Sequence, residues 1–525
     1  MRVLAGGMSA YARRFGGRTA LTTGAGSQTF AELVTAGHRF GDGLRSMGIR
    51  PGDRVAVLSH NRAEVVQCWL GLEAHGFVRV VLHSHFDMGL HADLIDRTEA
   101  RVVVFDTRFG AQLSAYKALL GSVRVFVAIG DDPPDWAVPF ASVQAAGSPD
   151  DPGIDLDEDD PVCVQPTTGT TGTPKPWTFT HRSWRGWVQQ NLYHLDTFAP
   201  DLPSVGPQDV NLHVHALQWA SGAQTLYPYL LRGARTVLLD DEVFDPGVVV
   251  DTIIGEGVTG VLLPAPMLTP VLDLVEARGG IPHQLRRLVI FFATPELLRR
   301  TTELLGPVWC HGFGSTEQGA VTTRLLAHEA MNGHPGLLSS VGRPASPFLE
   351  VAIMDERGEP VAPGEVGEIV VRSAMSDSGY WGSPDRTADA FFADGWFRPL
   401  DLGYLDDDGF LYYVDRAKDR IVTAAGVVYP HLVEEAVLRH PAVAGCGVVG
   451  LDTAHGREVV AAVRLKAGSV NTTELVEEIA TAARPGLRPH ERPHRIVVMT
   501  DLPTVLGGAK VRRDLLRERL ESVST

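Results

Sequence analysis

Residues 167–175 read Thr-Thr-Gly-Thr-Thr-Gly-Thr-Pro-Lys, and this composition suits one task, the cradling of a polyanion. Gly169 and Gly172 can take positive φ and turn backbone N–H groups toward an anion. The hydroxyls of Thr167, Thr168, Thr170, Thr171 and Thr173 can donate to phosphate oxygens, and Lys175 adds a point charge. A flexible Gly/Thr linker has the same composition. It does not explain the apolar run Pro161–Gln165, which reads as a strand feeding the loop, or the terminal Pro-Lys. No Gly-Lys-Ser/Thr follows, so this is not the Walker pattern, and no Gly-x-Gly-x-x-Gly follows the early strands. The chain has 47 basic residues but only five lysines: Lys117, Lys175, Lys418, Lys466 and Lys510. Lysine and arginine are not interchangeable at a phosphate, so each lysine stands out.

Further stretches occur in a telling order. PGDRVAVLSHNRAEVV begins at Pro51, NLHVHALQWASG spans 211–222 and FFATP spans 291–295. FGSTE covers Phe313–Glu317, GWFRPLDLG contains Asp401, DRAKDRI contains Arg416 and Lys418, and GGAKVRR contains Lys510. Together with the Thr/Gly loop these make the chain resemble, over almost its whole length, the adenylate-forming superfamily of acyl- and aryl-CoA synthetases, peptide-synthetase adenylation domains and firefly luciferases. The resemblance implies an ATP-dependent ligase using Mg²⁺. The loop would hold the triphosphate, with Thr170 near the metal. His215 would lie between the acid pocket and the phosphates, with His213 as the alternative two residues earlier. Trp219, Gly222 and Phe292 would border the acid, and Ala293, Thr294 and Pro295 the nucleotide. Phe313 and Gly314 would pack against adenine, Thr316 would bond the α-phosphate and Glu317 would hold Mg²⁺. Asp401 and Arg416 would approach the ribose, and Lys510 would serve adenylation. Lys418 would be a hinge, and Gly426 would line a tunnel for an acceptor thiol unless it is simply a turn glycine.

The chemistry fits those residue types. A carboxylate attacking the α-phosphate brings two anions together, so fixed cations, donors and a metal lower the barrier. Asp401 can accept two hydroxyls of a cis-diol, and Glu317 is a hard oxygen ligand suited to Mg²⁺. Taken singly, Glu317 and Asp401 read as ordinary solvated carboxylates and Lys510 as a surface charge. Their order, and three of five lysines on positions that require one, make the combination specific.

Four stretches depart from the family pattern. Pro176-Trp177 follows Lys175 where a glycine is usual. FFATP replaces a double glycine with bulk. Pro399-Leu400-Asp401 replaces Thr-Gly-Asp. One extra residue separates Leu502-Pro503 from Lys510, and Ala509 replaces a glycine. The charged groups for adenylation survive, while the acid and the acceptor become open. Phe291, Phe292 and Trp219 point to a short pocket for a small aryl or short acyl acid. Coenzyme A is the favoured acceptor. The rivals are a carrier-protein thiol, nitrite activated for diazotisation of an aryl amine, and a silent nucleotide- or acyl-binding regulatory protein.

These residues must be positioned by 525 residues with 44% hydrophobic and 21% charged side chains, enough for two to four domains. The net charge of −16 argues against nucleic acid and anionic membranes as partners. Four scattered cysteines suit a reducing compartment. No signal-like or spanning segment is evident, and a cytoplasmic enzyme is expected. Apolar runs alternate with helical periodicity through Phe30–Met47, Val55–Ser59, Glu64–His75 and Arg101–Asp106, and again between Asn211 and Pro295. That predicts an α/β fold of layered subdomains with parallel sheets. Residues 150–160 are an acidic connector, 341–371 a β-rich subdomain, and a basic helix is expected at the C-terminus. The domain boundary is placed at 417/418, with a small mobile α+β domain beyond it.

Overall fold

The computed structural model describes residues 9–10, 13–167, 175–319, 321–373, 378–392, 394–453, 456–505 and 510–524. It is a mixed α/β protein with a large N-terminal part and a smaller C-terminal domain. Two large sheets dominate the former. In the first, seven strands run in the order 138–139, 125–129, 102–106, 54–58, 78–82, 161–167 and 175–180. Every pairing is parallel except the last, a hairpin of Pro161–Thr167 with Lys175–Thr180. In the second, nine strands include a parallel centre of Trp309–Phe313, Arg287–Phe291, Gly260–Leu262, Val210–His213, Arg235–Leu238 and Thr19–Thr23. The central strands are fully buried Val/Leu/Ile-rich runs, as a parallel sheet covered by helices on both faces requires. Helix boundaries follow local signals. Thr29 caps Phe30–Ser46 in a capping box with Glu32, and Thr294 caps Pro295–Leu305 with proline in the first turn.

The core also holds ion pairs, among them Arg79–Glu73. Arg79 and Glu73, both 1% exposed, pair at 3.1 Å, and the guanidinium lies 3.9 Å from the Trp69 ring centre. The Tyr227 hydroxyl also donates to Glu73. Aromatic faces and a phenol thus replace the hydration that this pair gives up.

An antiparallel sheet of Glu350–Met354, Gly367–Arg372, Asp401–Leu405 and Leu411–Arg416 follows. Beyond it stand the hairpin Ile421–Thr423/Gly426–Val428 and the helix Pro430–Leu438. A three-stranded sheet (443–453, 456–465, 495–498), the hairpin Thr504–Val505/Lys510–Val511 and the helix Arg513–Ser524 complete the chain. The terminal helix carries arginines 513, 517 and 519 against Asp514, Glu518 and Glu521. It is therefore balanced rather than basic, because three acids offset its three arginines. Among the described residues, the buried apolar clusters divide cleanly. Five draw on residues up to Tyr413, and two draw only on residues from Ile421 onward.

Candidate active site

Several of the predicted residues stand where parallel strands end, which is where open α/β sheets place ligands. Thr167 closes one strand of the first sheet. His213, Phe291 and Phe313 close strands of the second, and His215 and Phe292 lie just beyond those ends. The loop residues Thr168, Gly169, Thr170, Thr171, Gly172 and Thr173 lie outside the described residues, but both stems are fixed. Thr167 pairs with Lys175 across the hairpin, and the Thr167 hydroxyl donates to the Lys175 carbonyl at 3.3 Å.

The unusual exit Pro176-Trp177 has a structural use. Pro176 stands opposite Pro166, and its carbonyl accepts from Trp381 N–H at 2.8 Å. Trp177 is fully buried, edge-on to Tyr380 at 5.1 Å and to Phe397 at 5.5 Å. The departure therefore anchors the loop's outgoing strand to the Gly379–Trp381 segment. Tyr380 is a residue that sequence reasoning missed, although the aromatic pair Tyr380-Trp381 in a Gly/Ser stretch was a signal. The ammonium of Lys175 lies 5.8 Å from the Tyr380 ring centre, and the Tyr380 hydroxyl donates to Glu317 at 3.5 Å. Burial, and then the Glu317 charge, push the Tyr380 phenol well above its ordinary value, so it remains a donor. Glu317, 8% exposed, also accepts from Ser315 at 2.8 Å. Its carboxylate keeps acceptor capacity beyond these two bonds, which fits a hard cation such as Mg²⁺. Thr316, beside it, is partly exposed.

Asp401 and Arg416 face each other across adjacent strands, with Nε to Oδ1 at 3.6 Å. Phe313 contacts the Tyr413 ring at 5.6 Å, and Tyr413 contacts His431 at 5.4 Å. Asp415, 1% exposed, accepts from the N–H groups of Arg416 and His431, both at 2.7 Å. Gly314 has φ +155. Ala293 N–H donates to His311 Nε2 at 3.3 Å, which fixes the 291–295 turn, and the Thr294 oxygen is engaged in capping.

The two histidines of NLHVHALQWASG differ. His213 is bound to Thr225 at 3.0 Å and serves packing. His215 is buried, and burial holds its imidazole down to about 4 against the opposing pull of the Ser221 backbone and Asp241, so it is neutral at physiological pH. Its loop is held by a second residue sequence reasoning missed. Asn61, in the first sheet's 59–62 loop, donates to the carbonyls of His215 (2.9 Å) and Leu239 (3.0 Å) and accepts from Leu217 N–H (2.7 Å). Asp241 accepts from Asn61 N–H at 2.6 Å and pairs with His60 at 3.3 Å. No sequence motif announces such a link, because its partners are about 150–180 residues apart.

The acid-pocket expectations fare unevenly. Trp219 caps the Ala220–Leu231 helix, with its ring edge-on to His83 at 3.7 Å. At Gly222 a Cβ would lie 2.2 Å from the Leu217 carbonyl oxygen, so a tight backbone approach requires glycine there. Phe292 is 55% exposed at φ +62, and Phe291 packs inward beside Gly312. In the C-terminal part, Lys418 pairs with Asp419 at 3.6 Å, and burial lowers its ammonium below the ordinary value. Gly426 has φ +146, with His490 3.1 Å from where a Cβ would sit. Lys510 opens the Lys510–Val511 strand.

The AMP-binding enzyme model matches residues 8–381, and the AMP-binding enzyme C-terminal domain model matches residues 432–506. The chain belongs to the AMP-binding enzyme family. This AMP-binding enzyme is 30% identical over 520 residues to the medium/long-chain-fatty-acid–CoA ligase of Mycobacterium tuberculosis, covering 96% of this chain and 86% of that one. It is 29% identical to the feruloyl-CoA synthase of an Amycolatopsis species, covering 95% and 96% respectively. In fold it is similar to the anthranilate CoA ligase solved with anthranoyl-AMP, with a TM-score of 0.88, 21% identity and coverage of 99% and 98%.

Proposed function

We propose that this AMP-binding enzyme uses ATP to convert a carboxylic acid into an acyl-adenylate, releases pyrophosphate, and transfers the acyl group to coenzyme A. The observation that carries this is that contacts between separate motifs converge on the Phe313–Glu317 segment. Lys175 and Glu317 both meet Tyr380, while Phe313 meets Tyr413 on the strand that pairs Arg416 with Asp401. In this reading the loop and Lys175 hold the triphosphate. Glu317, steadied by Ser315 and Tyr380, holds Mg²⁺, which would offset charge on the phosphates. Asp401 accepts the ribose hydroxyls, with Arg416 3.6 Å away on the adjacent strand. His215 stays neutral so that it can pack between acid and phosphates without pairing with either anion. Lys510 bridges the acid's carboxylate and the α-phosphate. A small aryl or short acyl acid is favoured because Phe291, Phe292 and Trp219 bring bulk to stretches assigned to the acid side. A small C-terminal domain beginning at Lys418 would turn to present first Lys510 and then the Gly426 tunnel.

The test is pyrophosphate release with aryl, short-chain and long-chain acids and nitrite, followed by mass analysis of products with and without coenzyme A. Release that needs an organic acid and ends in an acyl-CoA supports the proposal. Release driven by nitrite, a product made only on a carrier protein, or no turnover would replace it. Lys510→Ala should lower kcat for pyrophosphate release by roughly two orders of magnitude or more, with the Kd for ATP little changed. Full release by that variant would sink the adenylation role of Lys510.

A further inference from the structure

Arg513 lies three residues beyond Lys510, at the start of the terminal helix, and its side chain is mostly buried. Its guanidinium makes a three-way clamp. Nη2 donates to Glu434 Oε1 and Oε2 at 2.9 and 2.7 Å, Nη1 to Asp419 Oδ2 at 3.1 Å, and Nε to the Val448 carbonyl at 3.3 Å. Glu434 also accepts from Val448 N–H at 2.8 Å. The three partners belong to separate elements. Asp419 is next in sequence to Lys418 and pairs with it, Glu434 is on the Pro430–Leu438 helix, and Val448 is in the Val443–Thr453 strand. Only Val511 and Arg512 separate the clamp from Lys510, and Arg512 N–H is tied to the Pro503 carbonyl at 2.7 Å.

We propose that Arg513 is a positioning residue that makes the Lys510 strand and the segment after Lys418 one rigid lever, so that a turn at 418 delivers Lys510 to the α-phosphate in a single register. This rests on the adenylation role given to Lys510 above. The clamp fixes the two ends of the lever to each other with charge-assisted bonds from all three guanidinium nitrogens, which resist bending better than neutral ones. Without it, the Lys510–Val511 strand keeps its two-residue pairing with Thr504–Val505, the Arg512–Pro503 bond and the packing of Val511 on the cluster around Leu516, but loses the charged tie from Arg513 to the segment after Lys418. The reacting lysine would then sample several positions, and a displacement of about 1 Å costs about 100-fold in rate.

The experiment compares Arg513→Gln and Arg513→Lys with wild type, using ATP and whichever acid gives the fastest wild-type pyrophosphate release. Arg513→Gln should lose about 100-fold in kcat, with the Kd for ATP and the KM for the acid within about threefold of wild type. Arg513→Lys, which can still reach one carboxylate, should recover a substantial part of the loss. If Arg513→Gln does not fold, Asp419→Asn cuts the lever's hinge end and should also lower kcat without moving the Kd for ATP. Unchanged kcat, or kcat and ATP affinity falling together, would overturn the inference. The two readings fail separately: a Lys510→Ala enzyme that keeps full activity removes the adenylation role, whereas an impaired Lys510→Ala beside an unimpaired Arg513→Gln removes only the lever.

Discussion

Leu400 and Phe292 hold their backbones in the left-handed region, at φ +64 and +62. Both stand in the stretches where the sequence departs from a glycine-containing family pattern, so the departure is also a conformational load. A non-glycine residue there costs about 1–2 kcal/mol. Leu400 is 47% exposed and gives up little packing when removed. Leu400→Gly is therefore expected to raise stability by about 1 kcal/mol after the glycine's own entropy is set against the relief, read as a higher urea midpoint with unchanged slope. Phe292→Gly should relieve the same strain and widen the acids accepted, seen as a lower KM for longer acids with that for ATP little moved. Tyr380→Phe removes the hydroxyl from Glu317 and should weaken Mg²⁺ dependence several-fold in a metal titration, an expected loss of about 1 kcal/mol. Residue types were legible where chemistry dictates them, as in the Thr/Gly loop, Glu317 and Asp401. Tyr380 and Asn61 were not, because a phenol or an amide acquires meaning only from a partner far along the chain.

Between elements, the loops of the two large sheets are joined by Asn61, Asp241 and His60. Asn61→Ala strands two carbonyls and an N–H at once, and about 3 kcal/mol of destabilisation is expected by chemical denaturation. Burial opposes charge on His60, yet the Asp241 carboxylate outweighs it and raises the imidazole above its ordinary value, against a smaller opposing push from Arg108. A raised histidine adds stability that is full below its unfolded value, near pH ~6.5, and is lost as pH rises through the folded one. The stability difference between wild type and His60→Gln should accordingly be largest below about pH 6.5 and shrink as pH rises above it. Arg108 lies on Asp240 at 3.1 Å, so the His60–Asp240–Asp241 group is already served by a cation. Alternation and capping made most of these elements readable from sequence alone. The seam between the sheets was not readable, since periodicity reports which face of an element is buried and not what it is buried against.

At the scale of the molecule, the division of the apolar clusters between Tyr413 and Ile421 supports a proposed boundary at 417/418. A chain ending at Ala417 should melt cooperatively and bind ATP within about tenfold of the full protein. It should release no pyrophosphate, because Lys510 is gone. Calorimetry and a pyrophosphate assay on the same sample decide this. The division also has a thermal consequence. Heat-capacity changes track apolar surface moved into or out of water, and at this joint the described contacts are ring edges, peptide N–H groups on Asp415 and an Arg420–Glu356 pair at 3.9 Å. Swinging one part against the other should thus carry almost no heat-capacity change. The balance between orientations would then be nearly flat with temperature, and would respond to salt and to bound anions instead.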